Sequence, residues 1–262
     1  MDLELHGKKA LVTGGSRGIG LATALALGRE GARVAIAARE RAALDAAAAQ
    51  VEGRTGRLPP VIQADCTQPL EVAAMVGQAV AELDGLDILV NSVGAAKGGH
   101  FLELSEDDWQ ESLASKLLGE IRCCREALPA LRAGGGGVIV NVIGHRGKQP
   151  DGRALPAGVA NAGLVNFTVG LAQEEARHGV RVVGVSPGPV DTRRIHSVFE
   201  TEARLQGVSV AVARERWLSH VALGRVARPD EIADVIVFLA SARASFISGT
   251  VVQVDGAATR GI

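Results

Sequence analysis

Lys116, Ser112 and His145 are the side chains in this sequence best suited to chemistry. Lys116 and Ser112 stand four residues apart in a stretch of helical pattern, so they share a helical face and a Ser–Lys pair is sterically possible. A desolvated lysine has a lowered pKa and serves as acid, base or Schiff-base nucleophile. His145 follows a β-branched apolar run. An imidazole titrates near neutral pH, so it is equipped to give a carbonyl its proton. Plainer readings stand beside these: Lys116 fills a hole or runs out to water, and His145 lines a pocket. His100 and His196 also fall where strands end, with weaker claims. His6, His178 and His220 carry no functional argument. The chain has no tyrosine, which removes every mechanism that needs a phenolic hydroxyl.

A second group of residues suits phosphate. Thr13-Gly14-Gly15-Ser16-Arg17-Gly18-Ile19-Gly20 follows a strand pattern and opens a helix. Glycines there allow a tight turn and bring backbone N–H groups to a pyrophosphate, while the helix N-terminus adds favourable dipole charge. Arg146, Lys148 and Arg153 lie in one later loop and Arg193 and Arg194 in another, against Asp151 and Asp191. That balance suits a small anionic ligand, and equally a solvated basic face. No Cys/His cluster has metal-ligand spacing, so no metal is expected. Gly-x-x-x-x-Gly-Lys is absent.

These residues need a frame, and the apolar pattern supplies one. Short β-branched runs at Ala10–Thr13, Arg33–Ala38, Val61–Ala64, Leu86–Asn91, Val138–Val142, Arg181–Ser186 and Val251–Val254 predict seven strands. Near-continuous apolar strands suit a parallel sheet covered on both faces. Helical patterns at Ile19–Glu30, Arg41–Val51, Leu70–Leu83, Asp107–Leu131, Ala160–His178 and Asp230–Leu239 alternate with them. The alternation predicts an α/β class: a Rossmann-like, doubly wound, seven-stranded parallel sheet, with residues 1–262 forming one domain. Two stretches break the rhythm: Gly144–Pro156, and Pro187–Ser219 with short amphipathic pieces. Both follow strands and belong at the carboxyl edge, where open parallel sheets bind ligands. A formal net charge of -1 gives no electrostatic reason to expect nucleic acid. No apolar run approaches the ~18 residues of a spanning helix, so no membrane is expected. Cys66, Cys123 and Cys124 form no disulfide framework, and free thiols suit the cytoplasm.

Over essentially its full length the chain resembles the short-chain dehydrogenase/reductase family. The glycine turn carries the resemblance, with Asn91-Ser92-Val93-Gly94, Pro187-Gly188-Pro189-Val190-Asp191-Thr192, Gly224-Arg225-Val226-Ala227-Arg228-Pro229, Ser248-Gly249 and Asp255-Gly256 in order. The resemblance implies a dinucleotide site. Gly14, Ser16, Arg17, Gly18, Ile19 and Gly20 would hold pyrophosphate and adenosine ribose. Asp65 and Cys66 would lie at the adenine, Asn91, Val93 and Gly94 at the ribose, and Pro187, Gly188, Val190 and Thr192 at the nicotinamide. An acid closing the second strand would favour NAD, but Ala38 stands there, followed by Arg39. Arg39 and Arg17 together suit a 2′-phosphate, so NADP(H) is expected over NAD(H).

The same resemblance implies a proton relay of Asn, Ser, Tyr and Lys. Those positions fall on Lys116, Gly144, Ala157 and Asn161. All four are replaced. Three readings follow: an NADP(H)-linked oxidoreductase with another proton donor, Lys116 or His145; a lyase or aldolase using Lys116; and a catalytically silent nucleotide-binding or partner protein. The family's habit implies a homo-dimer or homo-tetramer.

Overall fold

The computed structural model describes residues 1–260. Its sheet has seven strands, all paired in parallel: β1 (Lys9–Thr13), β2 (Arg33–Ala38), β3 (Val61–Gln63), β4 (Ile88–Asn91), β5 (Gly137–Val142), β6 (Val180–Pro187) and β7 (Val251–Val254), in the order β3-β2-β1-β4-β5-β6-β7. The order reverses between β1 and β4, the kind of switch point beside which open sheets bind ligands at the carboxyl edge. Register is fixed by alternation. Ala10 and Val12 face a core shared with helices α1 (Gly18–Arg29), α2 (Arg41–Thr55) and α9 (Pro229–Ala240). Leu11 faces a second core built on α3 (Pro69–Leu83) and α5 (Gly119–Ala133). Both sheet faces are covered, as the continuous apolar strands require.

Three departures from the sequence expectation bear on the site. The helix expected over Asp107–Leu131 is broken into α4 (Glu106–Ser112), a π-helical segment at Leu113–Leu118, and α5. A capping box between Ser105 and Asp108 starts α4, and the π turn answers a close approach: a Cβ on Gly94 would stand 2.5 Å from the Lys116 Cα. The helix expected from Ala160 begins at Leu155, with a proline in its first turn, and runs as α6 (Leu155–Glu175). That places Ala157 and Asn161 on its first two turns. With the 3₁₀ turn that follows, α6 is long and apolar enough to cross a membrane, against the expectation of no such run, but it packs along β6. The amphipathic pieces of 187–219 are two helices, α7 (Arg193–Gln206) and α8 (Val210–Leu218), separated by Gly207 at φ +64°, with the Ser209 side chain capping α8.

Candidate active site at the carboxyl edge

The glycine turn joins β1 to α1 in a space that no side chain could share. A Cβ on Gly14 would lie 2.2 Å from the Ser92 carbonyl oxygen, and one on Gly20 would lie 2.3 Å from that of Gly14. Gly14 and Gly18 also hold positive φ, at +68° and +56°. Ser16 is buried and Ile19 is half-buried within the turn. α1 has neither a side-chain cap nor an acidic residue in its first turn, so its first N–H groups carry no side-chain acceptor. Such a turn cradles an anion.

Arg17 is not free. Its Nη2 donates to Glu40 Oε1 at 2.7 Å, and this hydrogen bond and charge, with Arg193 and Arg39 close by, hold the Glu40 carboxyl below its ordinary pKa. Arg39 is exposed. Three guanidiniums therefore gather at one carboxylate beside the end of β2. The sequence reading missed Glu40, although a carboxylate directly after Arg39 was its signal.

Several expected ligand contacts are spent inside the protein. The Asn91 side chain is fully buried and donates to Asn141 Oδ1 at 3.0 Å and to Cys124 Sγ. Asn141 in turn donates to Thr168. The Asp65 carboxylate accepts the Thr67 N–H, and the Asp65 N–H donates to Glu71. Cys66 is buried with its Sγ 3.8 Å from that of Cys123. Thr192 donates to the Val190 carbonyl and packs against Gly18: a Cβ there would stand 3.1 Å from the Thr192 methyl. The Pro-Gly loop is thus brought to the glycine turn. Gly188 is pressed on Asp255, where a Cβ would come within 2.8 Å of backbone.

His145 opens a 3₁₀ turn after β5. Its Nδ1 lies 3.3 Å from the Pro187 carbonyl oxygen, which only accepts, so in the neutral ring the proton sits on Nδ1 and Nε2 keeps a lone pair. Trp217 of α8 packs edge-on against the ring, with Phe199 of α7 behind it. Burial, then the neighbouring Arg146, lower the His145 pKa below its ordinary value. The imidazole is therefore neutral at neutral pH.

Lys116 lies on the π segment and is buried. Its Nζ donates to Glu120 Oε1 at 2.6 Å, to the Val142 carbonyl at 2.6 Å and to the Val93 carbonyl at 3.3 Å. Glu120 has no exposed surface, and desolvation raises its pKa to about 7 despite Lys116. No Ser–Lys pair forms. The Ser112 hydroxyl donates to the Asp108 carbonyl and accepts the Lys97 N–H. Glu120 was also missed; its spacing from Lys116 is that of an ordinary surface ion pair. Gly144 and Asn161 do meet: a Cβ on Gly144, at φ +116°, would stand 3.0 Å from Asn161 Nδ2.

The loops above the sheet are stitched together. Arg194 donates to the Ala96 carbonyl at 2.7 Å, Gly99 N–H to the Arg153 carbonyl at 2.9 Å, and Arg153 pairs with Glu202 at 2.5 Å. Arg146 pairs with Asp151. The basic cluster thus narrows. Arg194 is exposed and makes no carboxylate pair among the described residues. His196 meets Asp191 at 3.1 Å.

Residues 14–259 match the family model described as enoyl-(acyl carrier protein) reductase. The 3-oxoacyl-[acyl-carrier-protein] reductase of Chlamydia trachomatis is 31% identical over 252 residues, covering 96% of this chain and 97% of that protein. The chain belongs to the short-chain dehydrogenase/reductase family. Within it, cis-4-hydroxycyclohexanecarboxylate dehydrogenase of Sinomonas cyclohexanicum is 35% identical over 251 residues, covering 95% of this chain and 96% of the relative. L-sorbose reductase from Gluconobacter frateurii, solved with NADPH and L-sorbose, superposes with a TM-score of 0.93 at 30% identity over all of both chains. A polyketide ketoreductase of actinorhodin synthesis, solved with NADPH, gives 0.93 at 32% identity, covering 97% of this chain and 98% of that one.

Proposed function

We propose that the protein binds NADP(H) at the glycine turn and interconverts a hydroxyl and a carbonyl in a small anionic substrate, with His145 exchanging the proton. The glycine cradle carries the reading. Gly14 and Gly20 let β1, the turn and α1 close on one another where a Cβ would strike backbone, and this packing presents the uncapped N-terminus of α1, which suits a pyrophosphate. When bound, the nicotinamide gives or takes the hydride. The chain's own residues do the rest. Arg17 and Arg39 meet the 2′-phosphate, with Gly18, Ile19 and Ser16 completing the turn. Asp65 and Cys66 border the adenine, and Val93 and Gly94 the ribose. Pro187, Gly188, Val190 and Thr192 face the nicotinamide, and Arg194 meets the substrate's negative group. Similar folds solved with NADPH support this assignment.

His145 Nε2, with its lone pair, takes the hydroxyl proton during oxidation and returns it during reduction. Gly144, Ala157 and Asn161 offer no titratable group. The aldolase reading needs a free amine at residue 116, and that nitrogen is engaged with Glu120 and the Val142 and Val93 carbonyls. A second reading, a silent NADP(H)-binding protein, draws support from the same three positions. We assign the protein as a homo-dimer or homo-tetramer joined through the helices of 107–131 and 160–178, near which Leu118 and Val159 stand exposed, and through the C-terminal strand β7. The three free thiols suit the cytoplasm.

A carboxylate-bearing alcohol and ketone panel, followed by NADPH absorbance, tests the reading. Turnover by the wild type that falls about 10²–10⁴-fold in His145→Gln, with NADPH affinity unchanged, is expected. Full turnover in His145→Gln moves the proton to another group. Tight NADPH binding with no turnover on any substrate selects the silent protein.

A further inference from the structure

We propose that the buried Lys116–Glu120 pair is a positioning device, which clamps the diverging ends of β4 and β5 and so fixes the Gly144–His145 turn. The role at His145 rests on the function proposed above; the clamp itself does not.

Pairing between β4 and β5 ends at Asn91 and Asn141. Two residues further, Ile143 donates its N–H to the Val185 carbonyl on β6. Successive residues of a strand address opposite neighbours, so Val142 addresses the β4 side, where the ladder has stopped. Its carbonyl would be a buried acceptor without a partner. Lys116 supplies one, and the same ammonium reaches the Val93 carbonyl beyond the end of β4. One cation thus holds both strand ends at a fixed gap, with Glu120 as its third acceptor. Gly144 and His145 follow two and three residues after the clamped Val142, and Gly94, which a Cβ would drive into Lys116, follows Val93.

The pair is a poor device for stability alone. Glu120 Oε2 is buried with no hydrogen-bond partner. A buried ion pair of this kind is commonly matched or bettered by apolar residues of similar volume. Its consequence is geometric, and the π turn delivers Lys116 to the two carbonyls.

The double variant Lys116→Met/Glu120→Leu separates geometry from stability, because it removes both charges together and leaves neither buried alone. The readouts are thermal unfolding, NADPH affinity by calorimetry, and the His145 imidazole proton resonance, assigned by its loss in His145→Gln. A folded double variant is expected, with the His145 resonance displaced, its titration midpoint moved toward the ordinary histidine value, and NADPH bound about tenfold more weakly. A folded double variant with His145 signal and NADPH affinity unchanged overturns the proposal. Should the double variant not fold, Lys116→Gln, which cannot span both carbonyls, takes its place: a displaced resonance with weakened NADPH supports the clamp, and no change in either overturns it. Loss of a catalytic role for His145 would show in turnover only and would leave these signals standing.

Discussion

Glu40 occupies the Arg17 guanidinium beside the end of β2. Its pair with Arg17 is solvent-exposed and therefore weak. A dianionic 2′-phosphate therefore displaces it at small cost. Glu40→Gln is expected to tighten NADPH two- to fivefold and leave NADH unchanged, whereas Arg17→Gln weakens NADPH at least tenfold; calorimetry reads both. If Glu40→Gln weakened NADH instead, the carboxylate would be a ribose ligand. Gly14→Ala tests the cradle. Positive φ and the Ser92 carbonyl together predict a loss of about 1–3 kcal/mol of stability and of measurable NADPH binding. Residue types told much of this in advance. Arg17, Arg39 and the glycines could be read from their order along the chain. Glu40 left a signal in its place after Arg39, but Glu120 did not, because whether a Lys–Glu pair four residues apart is exposed or buried is a property of the fold.

At the scale of elements, the strands were legible because each buried strand is a continuous apolar run, and β2 and β7 fall where the sequence places them. The break at Leu113–Leu118 was not legible, since local propensity there is helical and the close approach of Gly94 to Lys116 is made only by the fold. α7 and α8 were read only as fragments because their apolar positions serve a small local cover, Phe199 and Trp217, rather than a main core. Trp217 of that cover packs against the His145 ring. Its folded pKa is lowered, so the unfolded chain binds more protons and the fold loses stability as pH falls through the ordinary histidine range. Trp217→Ala should raise the His145 midpoint by opening the ring to water, as read by proton resonance. Glu120 has the opposite sign. With its folded pKa raised from 4.5 to about 7, its contribution is full below 4.5 and lost as pH rises through 7. Glu120→Gln removes that component. Denaturant unfolding across pH should then show the wild type losing stability relative to the variant between those limits.

For the whole molecule, the doubly wound sheet puts the glycine turn, the Pro-Gly loop and the β5 turn on one edge, and Arg194, Arg153 and the Gly99 amide tie the loops above it. The family's doubly wound sheet is thus present in a chain that has no tyrosine. Light scattering should give a mass that is an even multiple of the chain's if the helices of 107–131 and 160–178 and β7 join copies as assigned; a monomer would contradict that. Every role assigned at this edge depends on NADP(H) binding at the glycine turn. The most direct measurement is titration calorimetry of the purified protein with NADPH, NADP, NADH and NAD in parallel. The expected result is saturable one-to-one binding of NADPH, with NADH at least tenfold weaker. No heat from any of the four, with the protein folded, would contradict it and leave the glycine turn as architecture without a ligand.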